Sequence, residues 1–250
     1  MKNTYRDLIE QTFYFPQEGF EVIDNNLHFY GIDLMEIIKQ YGTPLKITYL
    51  PKIGSQIKKA KRIFNVAIAK ADYKGTYTYC YCTKSSHFSY VLHEALKHDI
   101  HLETSSAFDI PLIRALHADK KIDKSIFIIC NGYKRPQYIE NIIGLLNDGF
   151  ENVIPVLDSM NELSQYDKRI KGRKKVKVGI RIASGEEPNF EFYTSRLGIR
   201  YDEIRDFYIK NLKKNKRFEL KMLHFFINTG IKDTAYYWSE LSKCVNVYCE

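Results

Sequence analysis

Apolar positions along this chain recur with two periods, and the points where one gives way to the other mark out repeated strand and helix segments. Short continuous apolar runs such as Ile126-Phe-Ile-Ile-Cys130 and Val153-Ile-Pro-Val-Leu157 suit strands buried on both faces. The pattern predicts a first strand over Leu45 to Leu50. A helix from Lys52 to Ala71 follows, in which Ile53, Ile57, Ala60 and Ile63 recur at helical spacing. Six further strands are predicted at Tyr77 to Thr83, Ile100 to Glu103, Ile126 to Cys130, Val153 to Leu157, Val176 to Ala183 and Leu220 to Phe226. Amphipathic segments such as Tyr90 to Lys97 and Pro136 to Leu146 follow them. Alternation at this spacing implies a parallel sheet with helical crossovers.

Residues 1–45 are different. Turn signals at Pro16, Asn25-Asn26 and Gly42-Thr-Pro44 break them up, and the only helical pattern is a short amphipathic stretch around Leu34 to Tyr41. They read as an N-terminal arm, with 46–250 as the strand-helix domain. The 250 residues, 44% of them hydrophobic, suffice for one sizeable core. No apolar run reaches the roughly 18 to 20 residues of a spanning helix, and Met1-Lys-Asn-Thr-Tyr-Arg-Asp lacks the apolar centre of a signal peptide. The expected location is cytoplasmic, without membrane association.

Charge and cysteine content narrow the function classes. The net charge of +8 comes largely from Lys171-Gly-Arg-Lys-Lys-Val-Lys177 and Lys210-Asn-Leu-Lys-Lys-Asn-Lys-Arg217. Both runs precede predicted strands, on the face opposite the functional loops of a β/α fold, so nucleic-acid binding is not expected. The five cysteines (Cys80, Cys82, Cys130, Cys244, Cys249) show neither zinc-site spacing nor the density of a disulfide scaffold. Cys80 and Cys82, two apart on a predicted strand, read as small buried hydrophobes, and no metal is expected.

Polar residues cluster just after the predicted strands: Lys84 and Ser86; Glu103, Ser105, Ser106 and Asp109; Asn131 and Lys134; Asp158; Arg181 and Ser184; His224, Asn228 and Thr229. No glycine-rich G-x-G-x-x-G fingerprint follows any strand, which argues against a dinucleotide-binding sheet. In a β/α barrel these positions ring the C-terminal mouth, where active sites lie. Lys84 stands out among them. It closes the aromatic run Tyr77-Thr-Tyr-Cys-Tyr-Cys-Thr-Lys84 at a strand-to-helix junction. A partly desolvated lysine amine there is suited to hold an aldehyde as a Schiff base.

The strand-end motifs resemble, in order over roughly Gly42 to Gly230, those of the alanine-racemase-like, fold type III pyridoxal-phosphate decarboxylases. Gly42-Thr-Pro-Leu-Lys-Ile-Thr-Tyr49 is similar to that family's first strand, and Tyr81-Cys-Thr-Lys84-Ser-Ser to the strand end carrying the Schiff-base lysine. His101-Leu-Glu-Thr-Ser-Ser-Ala-Phe-Asp109, Gly179-Ile-Arg-Ile-Ala183, Thr194-Ser-Arg-Leu-Gly198 and Leu223-His-Phe-Phe-Ile-Asn-Thr-Gly230 resemble later segments. Cys130-Asn-Gly-Tyr-Lys134 is most like the biosynthetic arginine decarboxylases.

The resemblance implies a (β/α)8 TIM barrel, here incomplete at six strand-helix units, and pyridoxal 5'-phosphate as cofactor. It implies decarboxylation of arginine to agmatine and CO2 in polyamine biosynthesis, with ornithine, lysine and diaminopimelate as alternative substrates and a homo-oligomer in the full-length form. Lys84 would bind the cofactor, with Arg181, Phe226, Thr229 and Glu103 around it. Asp109, Asp158 and His224 are substrate-side candidates. The family's ring-stacking histidine falls at Phe226, Glu103 stands for an aspartate, and Ser86 for an asparagine. The family's glycine-rich phosphate loop, pyridine-nitrogen carboxylate, last barrel strands and C-terminal β-domain have no counterpart up to Glu250. The chain therefore reads as the N-terminal, barrel-forming part, and an open barrel predicts low solubility or partner association. A catalytically inactive, partner-binding relative is the alternative.

Overall fold

The structure, a computed structural model, describes residues 18–167, 169–172, 175–183, 197–227 and 234–250. It divides into two compact units, Met1–Tyr49 and Leu50–Glu250.

The first unit carries strands where the sequence pattern showed only turn signals, and a helix at the expected amphipathic stretch. Strands β1 (Phe20–Ile23), β2 (Asn26–Phe29) and β3 (Ile32–Asp33) form an antiparallel sheet, followed by helix α1 (Leu34–Tyr41). Each hairpin turns on two residues with positive φ, Asp24 and Asn25 in the first, Tyr30 and Gly31 in the second. That geometry matches the right-handed twist of the flanking strands. Asp33 then caps α1, its Oδ1 accepting from the N–H groups of Met35 at 2.8 Å and Glu36 at 3.3 Å. The expected strand over Leu45 to Leu50 does not form. Residues 45–49 pair with no strand, and the Tyr49 ring instead stacks on Tyr30 at 4.3 Å and 6°. Aromatic packing has overridden an alternating pattern.

The second unit opens with α2 (Leu50–Lys70) and then repeats strand and helix: β4 (Cys80–Cys82), α3 (Ser89–Leu96), β5 (His101–Thr104), α4 (Asp109–Ala118), β6 (Phe127–Cys130), α5 (Pro136–Asn147), β7 (Asn152–Leu157), α6 (Leu163–Asp167), β8 (Val176–Arg181), α7 (Ile204–Asn211), β9 (Phe218–His224) and α8 (Thr234–Cys249). The six strands lie in sequence order, and every neighbouring pair is parallel. This is the expected part of a β/α barrel. The sheet does not close among the described residues, since β4 and β9 each pair on one side only. The described residues of both lysine-rich runs lie before or at the start of β8 and β9, at the end of the sheet away from the strand C-termini.

Side-chain alternation divides the sheet into two faces. Leu102, Ile128, Val178 and Ile180 belong to the main core together with Ile113, Ile139 and Ile142 of the helices, all of them fully or almost fully buried. The opposite, inner face carries a smaller apolar layer, Ile129, Ile154 and Val156, with Cys80, Phe127 and Met222 packed against it. A buried hydrogen bond of 2.7 Å between Thr104 Oγ1 and Tyr138 Oη ties β5 to α5. Among the described residues no helix is long and apolar enough to cross a membrane.

Two substitutions probe this frame. Ile142 is completely buried, so Ile142→Ala is expected to lower unfolding free energy by about 2–5 kcal/mol in a denaturant titration. Gly132 has φ +83° and a Cβ there would lie 2.7 Å from the Ser105 carbonyl oxygen. Gly132→Ala is therefore expected to cost roughly 1–3 kcal/mol, against under ~0.5 kcal/mol for a change at an exposed, unstrained position.

Candidate active site

The inner face is apolar at mid-sheet and polar where the strands end. Register places Cys82 opposite Glu103, Glu103 opposite Ile129, and Arg181 opposite His224. Residues two apart share a face, so Cys82, Glu103, Arg181 and His224 lie on this inner face at or next to the strand ends, joined by Asn131 and Asp158 from the first loop positions after β6 and β7. These residues come from different strands and meet at the C-terminal mouth.

Glu103 anchors one side. Its Oε1 accepts from Asn131 Nδ2 at 3.1 Å, with Cys82 Sγ at 3.9 Å. Burial pushes the Glu103 carboxyl above its ordinary range, while the Asn131 hydrogen bond and the charges of Arg181 and Lys84 pull it back. Burial likewise raises the Cys80 thiol to about 11, in keeping with its reading as an inert buried hydrophobe.

Lys84 sits in the turn after β4, exposed at the rim. The turn is fixed by Ser85, whose N–H and Oγ both donate to the Cys82 carbonyl at 3.1 and 2.8 Å, and by Tyr81 Oη, which donates to the Ser86 carbonyl at 3.0 Å. The lysine charge reaches inward, being felt at both Glu103 and Cys82.

Arg181 stands on the other side. Its Nη1 is 3.9 Å from Asp158 Oδ1, and its Cζ lies 5.5 Å from the centroid of the Phe226 ring. Phe226 falls beyond the end of β9, half in solvent, and not within the strand as the sequence pattern suggests. His224 faces Arg181 across β8 and β9. Burial, reinforced by the charges of Arg181 and Lys134, lowers its pKa to about 4, so the imidazole is neutral at physiological pH.

The remaining candidates divide. Asp109 is not gathered with the others in hydrogen bonding: its Oδ2 accepts from the N–H and Oγ groups of Ser105 and Ser106 at 2.7 to 3.3 Å, closing the loop after β5. Thr229 lies outside the described residues, as do Asn228 and Ser184. Glu162 was not singled out from the sequence, yet it accepts from Asp158 N–H at 2.9 Å and from Tyr166 Oη at 3.1 Å, and pairs with Lys134 at 3.3 Å. Its only signal is its spacing, four residues after Asp158 and four before Tyr166.

Several buried polar atoms here have no hydrogen-bond partner among the described residues: Asn131 Oδ1, both Asp158 carboxylate oxygens, Arg181 Nε and His224 Nδ1. Leaving such groups unmade costs about 1–3 kcal/mol each, so their concentration at one mouth makes it the candidate place for a polar ligand. The donor set fits a flat, anionic, aromatic aldehyde. It offers an amine at Lys84, a guanidinium N–H at Arg181, an exposed aromatic face at Phe226 and a neutral imidazole at His224. Among the described residues no group of His, Cys, Asp and Glu could hold a metal ion.

No family model matches the chain. A biosynthetic arginine decarboxylase of Prochlorococcus marinus subsp. pastoris is 26% identical over 235 residues, covering 88% of this chain and 35% of the relative. The structure of a diaminopimelate decarboxylase from M. jannaschii in complex with L-lysine superposes with a TM-score of 0.74 at 16% identity, over 92% of this chain and 52% of that one. The biosynthetic arginine decarboxylase from Campylobacter jejuni gives a TM-score of 0.70 at 20% identity, over 93% of this chain and 39% of that one. The chain thus spans about a third of the length of the curated relatives it matches (35%). Strand-end motifs, fold and sequence relatives agree: the chain has the fold of the diaminopimelate and arginine decarboxylase structures and is similar in sequence to biosynthetic arginine decarboxylases.

Proposed function

We propose that this chain carries the lysine-bearing half of a pyridoxal-phosphate-dependent decarboxylase site that converts arginine to agmatine and CO2 in polyamine synthesis. The observation that carries the reading is the set of unpartnered buried polar atoms on Asn131, Asp158, Arg181 and His224, close enough to Lys84 for its charge to act on Glu103 in the same mouth. Lys84 would hold the cofactor aldehyde, Arg181 would donate to it, and the Phe226 face would bear on its ring. Glu103, and Thr229 beyond the described residues, complete the proposed cofactor contacts. When bound, pyridoxal phosphate supplies an electron sink for the pair released as the substrate carboxylate leaves as CO2.

The chain's own carboxylates bear on the substrate side. A guanidinium needs a planar acceptor, and Asp158 offers two oxygens without hydrogen bonds at the buried mouth. Asp109 contributes less, because its Oδ2 already serves four donors. The preference for arginine over ornithine, lysine or diaminopimelate rests on the Cys130 to Lys134 segment and on the names of the sequence relatives. A homo-oligomeric, cytoplasmic enzyme is part of the proposal. Phe226 favours one second reading, a cofactor-binding but inactive relative that acts through a partner, since a phenyl ring exchanges no proton. Agmatine formation from arginine by the protein distinguishes the two.

After incubation with pyridoxal phosphate and reduction with borohydride, peptide mass mapping is expected to find stoichiometric label on Lys84, absent from Lys84→Ala. Label scattered over surface lysines would overturn the reading. The neutral state of His224 has its own consequence. Its folded pKa of about 4 lies below the ordinary 6.5, so the unfolded chain takes up the proton first. Stability is retained above about pH 6.5 and falls as pH drops toward 4, by roughly 3 kcal/mol in all. Urea unfolding across that window is expected to show a flatter pH slope in His224→Asn; an unchanged slope would show that His224 is not buried in neutral form.

A further inference from the structure

Lys134 is buried, its side chain 1% exposed, in the loop after β6. A lysine ammonium has three N–H donors. Two go to the carbonyl oxygens of Gly132 and Val156, and the third faces Glu162 Oε1 at 3.3 Å. Asp158 Oδ2 lies 3.8 Å away, near enough for its charge to matter and too far for a hydrogen bond. Glu162 is fully engaged, with the Asp158 N–H on one oxygen and Tyr166 Oη on the other. Asp158 stands between two cations, Lys134 at 3.8 Å and Arg181 at 3.9 Å, and is hydrogen-bonded to neither.

Glu162, Lys134, Asp158 and Arg181 thus alternate in sign along one buried line that ends at the Phe226 ring. We propose that Lys134 is a positioning residue for this site: it keeps Asp158 ionised, and ionised Asp158 in turn holds Arg181 as a paired cation at the mouth. The last step, from Arg181 to cofactor, rests on the function proposed above. The step from Lys134 to Asp158 does not.

The reason is charge balance. Burial drives both the Asp158 and Glu162 carboxyls toward the protonated form, and for each the Lys134 charge is the largest influence opposing it. Without that ammonium, two buried carboxylates would share one cation, Arg181, and one of them would have to take up a proton. Asp158 is that one. Glu162 keeps two neutral donors that favour its anion, and Asp158 has none. Other titratable groups facing this array are Glu103, which feels Arg181; His224, which is neutral and feels Arg181 and Lys134; Tyr166, which donates to Glu162 and is held neutral by burial; and Cys130, which feels Lys134 and is pushed up to about 11 by burial. None replaces the lost cation.

The Asp158 carboxyl carbon can be followed by NMR in the full chain labelled with 13C-aspartate, with Asp158→Asn giving the assignment. In Lys134→Met, isosteric and uncharged, the Asp158 titration is expected to move up by at least about one pH unit. In Glu162→Gln it is expected to move down, because Lys134 then has a single carboxylate to satisfy. General loosening of the fold would not shift the two in opposite directions. An Asp158 titration unmoved in folded Lys134→Met overturns the proposal. Should Lys134→Met fail to fold, Glu162→Gln decides, and an unchanged or raised Asp158 titration there overturns it. The pH profile of Lys84 labelling by pyridoxal phosphate is the second readout, expected to shift to higher pH in Lys134→Met and to stay uniformly low in Asp158→Asn. A wild-type chain that takes no label at Lys84 removes the decarboxylase reading and leaves the carbon titration to decide the role of Lys134.

Discussion

A parallel sheet whose strands are bonded in sequence order has no freedom to choose which residues face inward. Once Leu102, Ile128, Val178 and Ile180 are committed to the helix-facing core, alternation sends Glu103, Ile129 and Arg181 to the other side. The apolar contribution of the core therefore does more than stabilise. Each of those four apolar side chains, fully buried, is worth about 1.5–3 kcal/mol, and a slip of one residue would forfeit several at once while turning Arg181 and Glu103 into the helical layer. Site geometry is held by the same interaction that holds the fold.

Polar groups collect at the strand C-termini because the inner face fills with Ile129, Ile154 and Val156 below them. A carboxylate, a guanidinium, an imidazole and an amide then lie in a place too dry for full solvation and too sparse for mutual satisfaction. The array resolves this partly by pairing Glu162 with Lys134 and leaves Asp158, Arg181 and His224 with unmet capacity among the described residues. In a structural ion network the leftover capacity would be expected to vanish. Its persistence at one mouth among the described residues, beside an exposed lysine, is the feature on which the proposed binding site rests.

Much of this was legible in the sequence. Strand-helix alternation after residue 76 is visible because fully buried strands show as short apolar runs, and the strand-end polar residues follow at once. The first unit was harder. Its strands are two to four residues long, too short for alternation to rise above chance, and the turn signal at Asn25-Asn26 was the better one. Lys46-Ile-Thr-Tyr49 alternates like a strand, yet the Tyr49 ring is taken by Tyr30, a contact that no local pattern announces. Glu162 was missed for a related reason. A glutamate just before a helix reads as a solvated first-turn charge, and only the position of Lys134 from another loop makes it a buried partner. Asp109 shows the converse, a carboxylate at a strand end whose hydrogen bonds close its own loop.

The central claim is that the unmet groups at the mouth face a pyridoxal phosphate held at Lys84, and the most direct test is to watch those groups as the cofactor is added. In a chain carrying 15N-arginine and 15N-histidine, the Arg181 Nε–H and His224 ring resonances are expected to shift together and to saturate at equimolar cofactor, with both shifts absent in Lys84→Ala. Resonances of Arg181 and His224 that stay in place while cofactor binds elsewhere would contradict the account.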